Sequence, residues 1–164
     1  MNSDKNNQQA LEAARDLCMH GIALGKEGKR EAALVQYASV IAQFGNEQDF
    51  EFLKVLAAAM FNTGTTLAAL DRSEESVNAY DVLIEKLKHH IDPTLQLYVV
   101  KAMMNKAYRL NALLKNDEAI ATYEAVIADY GTSQDPETVD HLNSVKSFLA
   151  ERRAVLDARA KSSA

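Results

Sequence analysis

The sequence has few residues that break helices or cross-link chains: it contains two prolines, six glycines, one cysteine and no tryptophan. The single cysteine, Cys18, excludes an internal disulfide and is typical of a reducing compartment. The N-terminus lacks a basic start followed by an apolar run, so no secretion signal is predicted. No stretch approaches the ~18 apolar residues of a membrane span. We therefore expect a cytoplasmic protein.

An excess of basic residues is also missing. Lys and Arg number 18 against 23 Asp and Glu, which gives a formal net charge of −5 and a pI near 5.4. Nucleic acids and anionic membranes need a basic surface, so we expect neither as a partner. With 164 residues, 48% of them apolar, the chain has the size and composition of one soluble domain.

What the sequence does contain is an internal repeat with a period of 43 residues. Close copies of the segment 115–131 (KNDEAIATYEAVIADYG) occur at 29–45 and 72–88. Each copy has a tyrosine at the same place: Tyr37, Tyr80 and Tyr123. A fixed period of 20 to 50 residues is the sequence signature of a solenoid. We therefore expect a short stack of repeats.

Small and apolar residues recur at helical offsets around these tyrosines. Small residues stand four positions before each tyrosine and again further back: Ala33, Ser76, Ala119, Gly21, Gly64 and Ala107. Aliphatic residues stand three before and three and four after: Leu34, Val77, Ile120, Val40, Leu83, Val126, Ile41, Ile84 and Ile127. Such offsets place side chains on one face of a helix. Each repeat is thus predicted to be a hairpin of two closely packed helices.

Capping residues predict where the helices begin. Good N-cap residues recur with the same period and predict first-type helices from near 7, 50, 93 and 136: Asn6, Asp49, Asp92 and Asp135. Proline follows two of them at the first helical position. Second-type helices are predicted from near Arg30, Ser73 and Asn116, with acidic first turns that suit the helix dipole. Gly45 and Gly131 are predicted C-terminal caps. The repeats then span about 7–45, 50–88 and 93–131.

The segment 136–160 repeats the first-type helix alone. It keeps an apolar stripe for the preceding repeat: Leu142, Val145, Leu149 and Leu156. The positions that would face a further helix are mostly polar: Asn143, Lys146, Ala150 and Arg153. This pattern predicts a capping helix that ends the stack. An alternative is that Phe148 and Leu156 form the seam of a homodimer. The predicted domain covers 6–160, with tails at 1–5 and 161–164.

The spacing of the small and tyrosine columns resembles the tetratricopeptide repeat (TPR) family. The usual period of that family is 34, so this chain has nine extra residues per unit, which we place within 46–56 and 89–99. The resemblance implies an all-α, right-handed α-solenoid of three helical hairpins and a C-terminal capping helix, seven helices in total. The long period is similar to that of bacterial members of the family, which implies a bacterial or phage source.

The resemblance also implies a function. First-type helices of the family line a concave groove, so we expect a non-catalytic adaptor or scaffold that binds another protein or a peptide. Aligned positions give the candidate groove residues: Arg15, Met19, Ile22, Asn62, Thr65, Lys101, Asn105, Tyr108 and Asn111. Asn62 and Asn105 share a column, and a mid-helix asparagine is locally unfavourable. Their amides either hold a peptide backbone or form hydrogen bonds between helices.

Some relatives capture the C-terminal carboxylate of chaperones with two lysines, two asparagines and an arginine. Only Asn62 and Lys101 match that set here, while Cys18, Ile22 and Asn105 fill the other three positions. A single cation rarely provides the bidentate grip that a carboxylate prefers. We therefore do not expect this chaperone clamp.

No candidate enzyme or metal site emerges from the sequence. His89 and His90 are adjacent, so on a helix they point about 100° apart and have no further ligand at the spacing of a metal site. No nucleophile, base and oxyanion donor occur together. We expect no catalysis, metal or cofactor. The alternative function is a structural module that assembles with copies of itself through the groove or the capping helix.

Overall fold

The computed structural model describes the backbone of residues 2–162 and the side chains of residues 5–154. Within that backbone the chain forms seven α-helices and no strand, which confirms the all-α prediction. The helices are α1 (Asn2–Lys26), α2 (Arg30–Phe44), α3 (Phe50–Ala69), α4 (Ser73–Leu87), α5 (Pro93–Ala112), α6 (Asn116–Tyr130) and α7 (Pro136–Ser162). The predicted tail at 163–164 and the side chain of Leu156 lie outside the described residues.

The predicted starts of α2 to α7 are confirmed, and aspartates cap three of these helices. The carboxylates of Asp49 and Asp92 each accept a hydrogen bond at 2.9 Å from the backbone N–H two residues later. The Asp135 carboxylate accepts from both the backbone N–H and the hydroxyl of Thr138 at 2.8 Å. These bonds from Thr138 hold the pKa of Asp135 below its ordinary value. Each cap satisfies a donor that the first helical turn leaves unpaired.

Two predicted boundaries are wrong. Helix α1 is already helical at Asn2, so Asn6 is not its cap and residues 2–5 are not a tail. The polar run before Asn6 contains no proline or glycine, so nothing in it stops the helix. Helix α7 continues to Ser162, past the predicted end at 160.

The predicted glycine caps also differ from expectation. Gly45 and Gly131 do end α2 and α6, but with right-handed φ angles of −59° and −60°. Lys88 ends α4 with the same geometry, φ −56°. The left-handed residues lie instead in the turn inside each hairpin: Gly28 (φ 79°), Asp71 (φ 58°) and Leu114 (φ 62°). This turn column also has the 43-residue period, and only its first member is glycine.

Each helix packs against the next helix in the chain, and the odd-numbered helices also pack against one another. Contacts join α1 to α3, α3 to α5 and α5 to α7, whereas no even-numbered pair is in contact within the described chain. The odd-numbered helices therefore form one continuous layer, and each even-numbered helix lies against its two neighbours in sequence. The candidate site described below lies on one face of this odd-numbered layer.

Inside each hairpin a tyrosine ring lies on a small residue of the partner helix. Tyr37 and Tyr80 are 2% and 1% exposed, and a Cβ added to Gly21 or Gly64 would lie 2.5 or 2.4 Å from their rings. Real Cβ atoms do not approach so closely, so these two tyrosines require glycine. In the third hairpin Ala107 takes the glycine position, and Tyr123 is more exposed, at 8%.

Helix α3 is long and apolar enough to cross a membrane by length and composition, with a mean hydropathy of 1.2. It was not predicted as a span because charged and polar residues and a glycine interrupt its apolar run. Half of that window is buried inside the protein. Since α3 packs against α1, α2, α4 and α5, its position among four helices accounts for the apolar composition.

The described part of α7 has the two faces predicted for a capping helix. Leu142, Val145 and Leu149 are buried. The opposite positions are exposed: Asn143, Lys146, Ala150 and Arg153. Phe148, proposed for a dimer seam, packs its ring at 4.8 Å from the ring of Tyr123 in the same chain.

Replacing Gly64 by alanine is predicted to destabilise the protein although alanine is the better helix former. The new methyl group would overlap the Tyr80 ring, and overpacking of this kind costs about 1–3 kcal/mol. Gly25→Ala is the control, because its nearest neighbour is 4.0 Å away, and it should be neutral or stabilising by up to ~1 kcal/mol. Urea denaturation measures both. Equal changes in the free energy of unfolding for Gly64→Ala and Gly25→Ala would contradict the close approach of the Tyr80 ring to the backbone at Gly64.

Replacing Leu114 by glycine is predicted to stabilise the protein by about 0.5–1 kcal/mol. A left-handed leucine costs about 1–2 kcal/mol, and the greater freedom of glycine in the unfolded chain offsets part of the gain. Leu114 is 83% exposed, so little packing is lost. Leu114→Ala keeps a Cβ and should leave the free energy of unfolding within ~0.5 kcal/mol. Equal gains from both variants would assign the effect to loss of exposed apolar surface instead.

Candidate functional site

Three cavities open on one face of the odd-numbered layer. Cavity A, about 400 Å³, lies between the segment of α1 from Arg15 to Ile22 and the first half of α3, and it reaches Tyr98 of α5. Cavity B, about 360 Å³, lies between the second halves of α1 and α3 and is closed by Arg30 and Tyr37 of α2. Cavity C, about 380 Å³, lies between α3 and α5 and is bounded by Glu137 of α7.

The three cavities are connected through shared side chains. Ile22 lines both A and B, Asn62 lines both B and C, and Tyr98 lines both A and C. We call the combined surface the groove. Each pair of cavities therefore has one lining residue in common.

The groove contains six of the nine predicted site residues: Arg15, Met19, Ile22, Asn62, Thr65 and Lys101. None of the three cavities includes Asn105, Tyr108 or Asn111. Tyr108 is 61% exposed and stacks with the Arg109 guanidinium, 4.6 Å from its ring centroid. The predicted residues of the first two repeats thus come together, and most of those of the third do not.

The asparagine column is used inside the fold. The Asn105 Nδ2 donates a hydrogen bond to the Tyr80 hydroxyl at 3.2 Å, which ties α5 to α4. Burial raises the pKa of that hydroxyl above its ordinary value. The Asn62 Nδ2 donates to the Ala58 carbonyl of its own helix at 2.9 Å. The hydrogen bond between helices therefore exists at Asn105, while Asn62 keeps only a local bond and still lines two cavities.

Two predicted cations of the groove form ion pairs between repeats. Arg15 donates to Glu51 at 2.5 Å, and Lys101 donates to Glu137; in both pairs the partners are 36 residues apart. Ala58 lies one period from both Arg15 and Lys101, and Thr94 lies one period from both Glu51 and Glu137. The equivalent positions of the middle repeat are therefore uncharged.

Lys54 also contacts Glu51, at 2.5 Å, so two cations share one carboxylate in cavity A. The hydrogen bond from Lys54, and then the charges of Lys54 and Arg15, hold the pKa of Glu51 below its ordinary value. Glu51 therefore stays ionised at neutral pH, and this cluster keeps an excess positive charge.

Several residues that line the groove were not predicted from the sequence. Five of them lie in the predicted extra segments: Glu51, Lys54, Thr94, Leu97 and Tyr98. Another, Glu137, lies in the first turn of α7. A signal was available, because Glu51, Thr94 and Glu137 are one period apart in the first turn of successive first-type helices. The 34-residue tetratricopeptide pattern has no positions that correspond to these residues, so alignment to it does not indicate them.

The chemistry of the groove suits binding. Its floor is apolar, with Ile22, Val55 and Ala58 beside the aromatic ring of Tyr98. Cys18 also lines cavity A, but burial raises the pKa of its thiol and so disfavours the nucleophilic thiolate. Within the described residues no group of three histidine, cysteine or acidic side chains could hold a metal ion.

Comparison with known proteins assigns no family to the chain. No protein-family model matches the sequence, and no curated protein matches it. The functional inference therefore depends on the geometry of the groove.

A double-mutant cycle tests the role of Asn105. We predict that Asn105→Ala and Tyr80→Phe each destabilise the protein and that their coupling energy is about 0.5–1.5 kcal/mol, the usual net contribution of one hydrogen bond. Asn62→Ala is the control and should be neutral or slightly stabilising, because its amide bonds only to its own helix. Denaturant unfolding of the four proteins measures the coupling. A value near zero would leave the Asn105 amide free for a ligand.

Proposed function

We propose that this chain is a TPR-like, right-handed α-solenoid and that it works as a non-catalytic, cytoplasmic adaptor that binds a peptide segment of another protein. The 43-residue period and the continuous layer of odd-numbered helices support the architecture. Each repeat has one helix in the odd-numbered layer and one helix packed against that layer. The polar outer face of α7 is typical of a helix at the end of such an array.

The connection of the three cavities is the observation that carries the proposed function. A surface with an apolar floor and a few polar groups at its edge is the usual character of a ligand site. The hydrogen-bonding groups of Asn62 and Thr65 are half-buried at its centre, and their side chains bond only within α3. An extended peptide can exchange these local bonds for bonds with its own backbone.

The alternative, a self-assembling module, has a separate observation in its favour. A cavity of about 460 Å³ lies between α6 and α7, with Ile127 and Leu149 among its lining residues and Lys146 and Arg153 at its edge. A second copy that packed there would extend the array. Light scattering after size exclusion separates the two functions: a particle near 18 kDa at high concentration contradicts self-assembly.

We predict that peptides bind in the groove and that uncharged polar substitutions there weaken binding. Random heptapeptides displayed on phage are selected on the wild-type chain, and the enriched sequences are then measured against the double variant Met19→Gln, Ala58→Gln. A loss of at least about tenfold in affinity is expected, since two apolar side chains that line cavity A are replaced by polar groups.

The matched control is Val35→Gln with Val82→Gln. These valines are 61% and 57% exposed, similar to Met19 at 63%, but lie on α2 and α4, away from the groove. The control should bind like the wild type. No enriched peptides, or an equal loss in both double variants, would contradict a peptide-binding groove.

A further inference from the structure

The groove is basic although the chain is acidic. Five basic and two acidic side chains line its three cavities: Arg15, Lys26, Arg30, Lys54 and Lys101 against Glu51 and Glu137. The whole chain has the opposite balance, 18 basic to 23 acidic residues. Positive charge is therefore in excess among the side chains that line the groove.

Ion pairing leaves part of this charge available to a ligand. Lys101 is neutralised by Glu137, and Glu51 is shared between Arg15 and Lys54. Lys26 and Arg30 are exposed, and neither has a carboxylate within 4.0 Å among the described side chains, since the nearby Glu27 pairs with Lys29 at 2.8 Å. Cavity B thus has two available cations, and cavity A has the excess charge of its cluster.

The available charges lie at the two ends of the α1–α3 part of the groove. Arg15 and Lys26 are separated by about 17 Å along α1 at 1.5 Å per residue, the length of about five extended residues. Between them the groove wall presents Met19, Ile22 and Ala58. The complementary ligand has carboxylates at both ends and apolar side chains in the middle.

We propose, building on the peptide-binding function above, that the ligand is a short acidic segment of another protein, with apolar residues flanked on both sides by aspartate or glutamate. Its central side chains occupy cavity A around Met19 and Ile22. One acidic end lies against Lys26 and Arg30, and the other against Arg15 and Lys54. Complementary charge of this kind selects the partner and speeds association more than it adds affinity.

The test uses three fluorescein-labelled peptides that differ only in charge: Glu-Glu-Leu-Phe-Leu-Glu-Glu, its Gln analogue and its Lys analogue. Fluorescence anisotropy at 50 and 300 mM NaCl gives the dissociation constants. We expect the Glu peptide to bind at least about tenfold more tightly than the Gln peptide at low salt, with the Lys peptide weakest. The advantage of the Glu peptide should shrink at high salt.

The variant Lys26→Gln with Arg30→Gln should remove most of the preference for Glu over Gln. Lys86→Gln with Lys115→Gln removes the same charge on α4 and beside α6 and should keep the preference. Loss of the preference in both would mean that only the net charge of the chain matters, which overturns the proposal. Tighter binding of an oligothymidylate of equal charge would also overturn it in favour of a phosphate ligand.

Failure of this proposal can be told from failure of the peptide-binding function. If the Glu and Gln peptides bind equally, or if phage-selected peptides bind in the groove but carry no acidic flanks, the acidic specificity is wrong and the peptide groove stands. If no peptide, designed or selected, binds the chain, both are wrong.

Discussion

The structure depends on how closely a tyrosine ring approaches the backbone of the helix it packs against. In the first two hairpins only hydrogen fits between the ring and Gly21 or Gly64. This contact sets the spacing of the two helices in a hairpin, and the Ser76 hydroxyl fixes it further by donating to the Gly64 carbonyl at 2.8 Å. Because interiors are close-packed, a change in this spacing would shift the odd-numbered layer and with it the width of the groove.

Most of the helix order could be predicted from the sequence because several local signals agree. The aspartate caps, the proline positions and the tyrosine period all indicate the same boundaries, and agreement between levels is what makes a sequence specify one structure. The start of α1 could not be predicted, since the polar run before Asn6 contains no residue that ends a helix. The turn at Leu114 was also missed, because leucine is not a residue that normally marks a left-handed position.

The candidate site was less predictable because it depends on side chains that meet across repeats. Arg15, Ile22 and Asn62, predicted from the resemblance, do line cavities, but the tetratricopeptide pattern has no positions for the extra segments. Predicting the pairing of Arg15 with Glu51 requires knowing how α1 is aligned along α3, and no local sequence signal gives that alignment. The unusual mid-helix Asn105 did indicate a special role, and the role is a hydrogen bond to Tyr80 inside the fold.

The ion pairs of the groove matter for charge more than for stability. Exposed pairs contribute about 0–1 kcal/mol, so Arg15–Glu51 and Lys101–Glu137 add little to folding. Their larger effect is that each carboxylate in the groove is already bound to a cation, so it would repel the proposed acidic ligand less. The cations that remain, Lys26 and Arg30, lie beyond the reach of either carboxylate. If the proposed acidic ligand binds, its selection depends on where the acidic residues of the groove are paired, and not on the net charge of the chain.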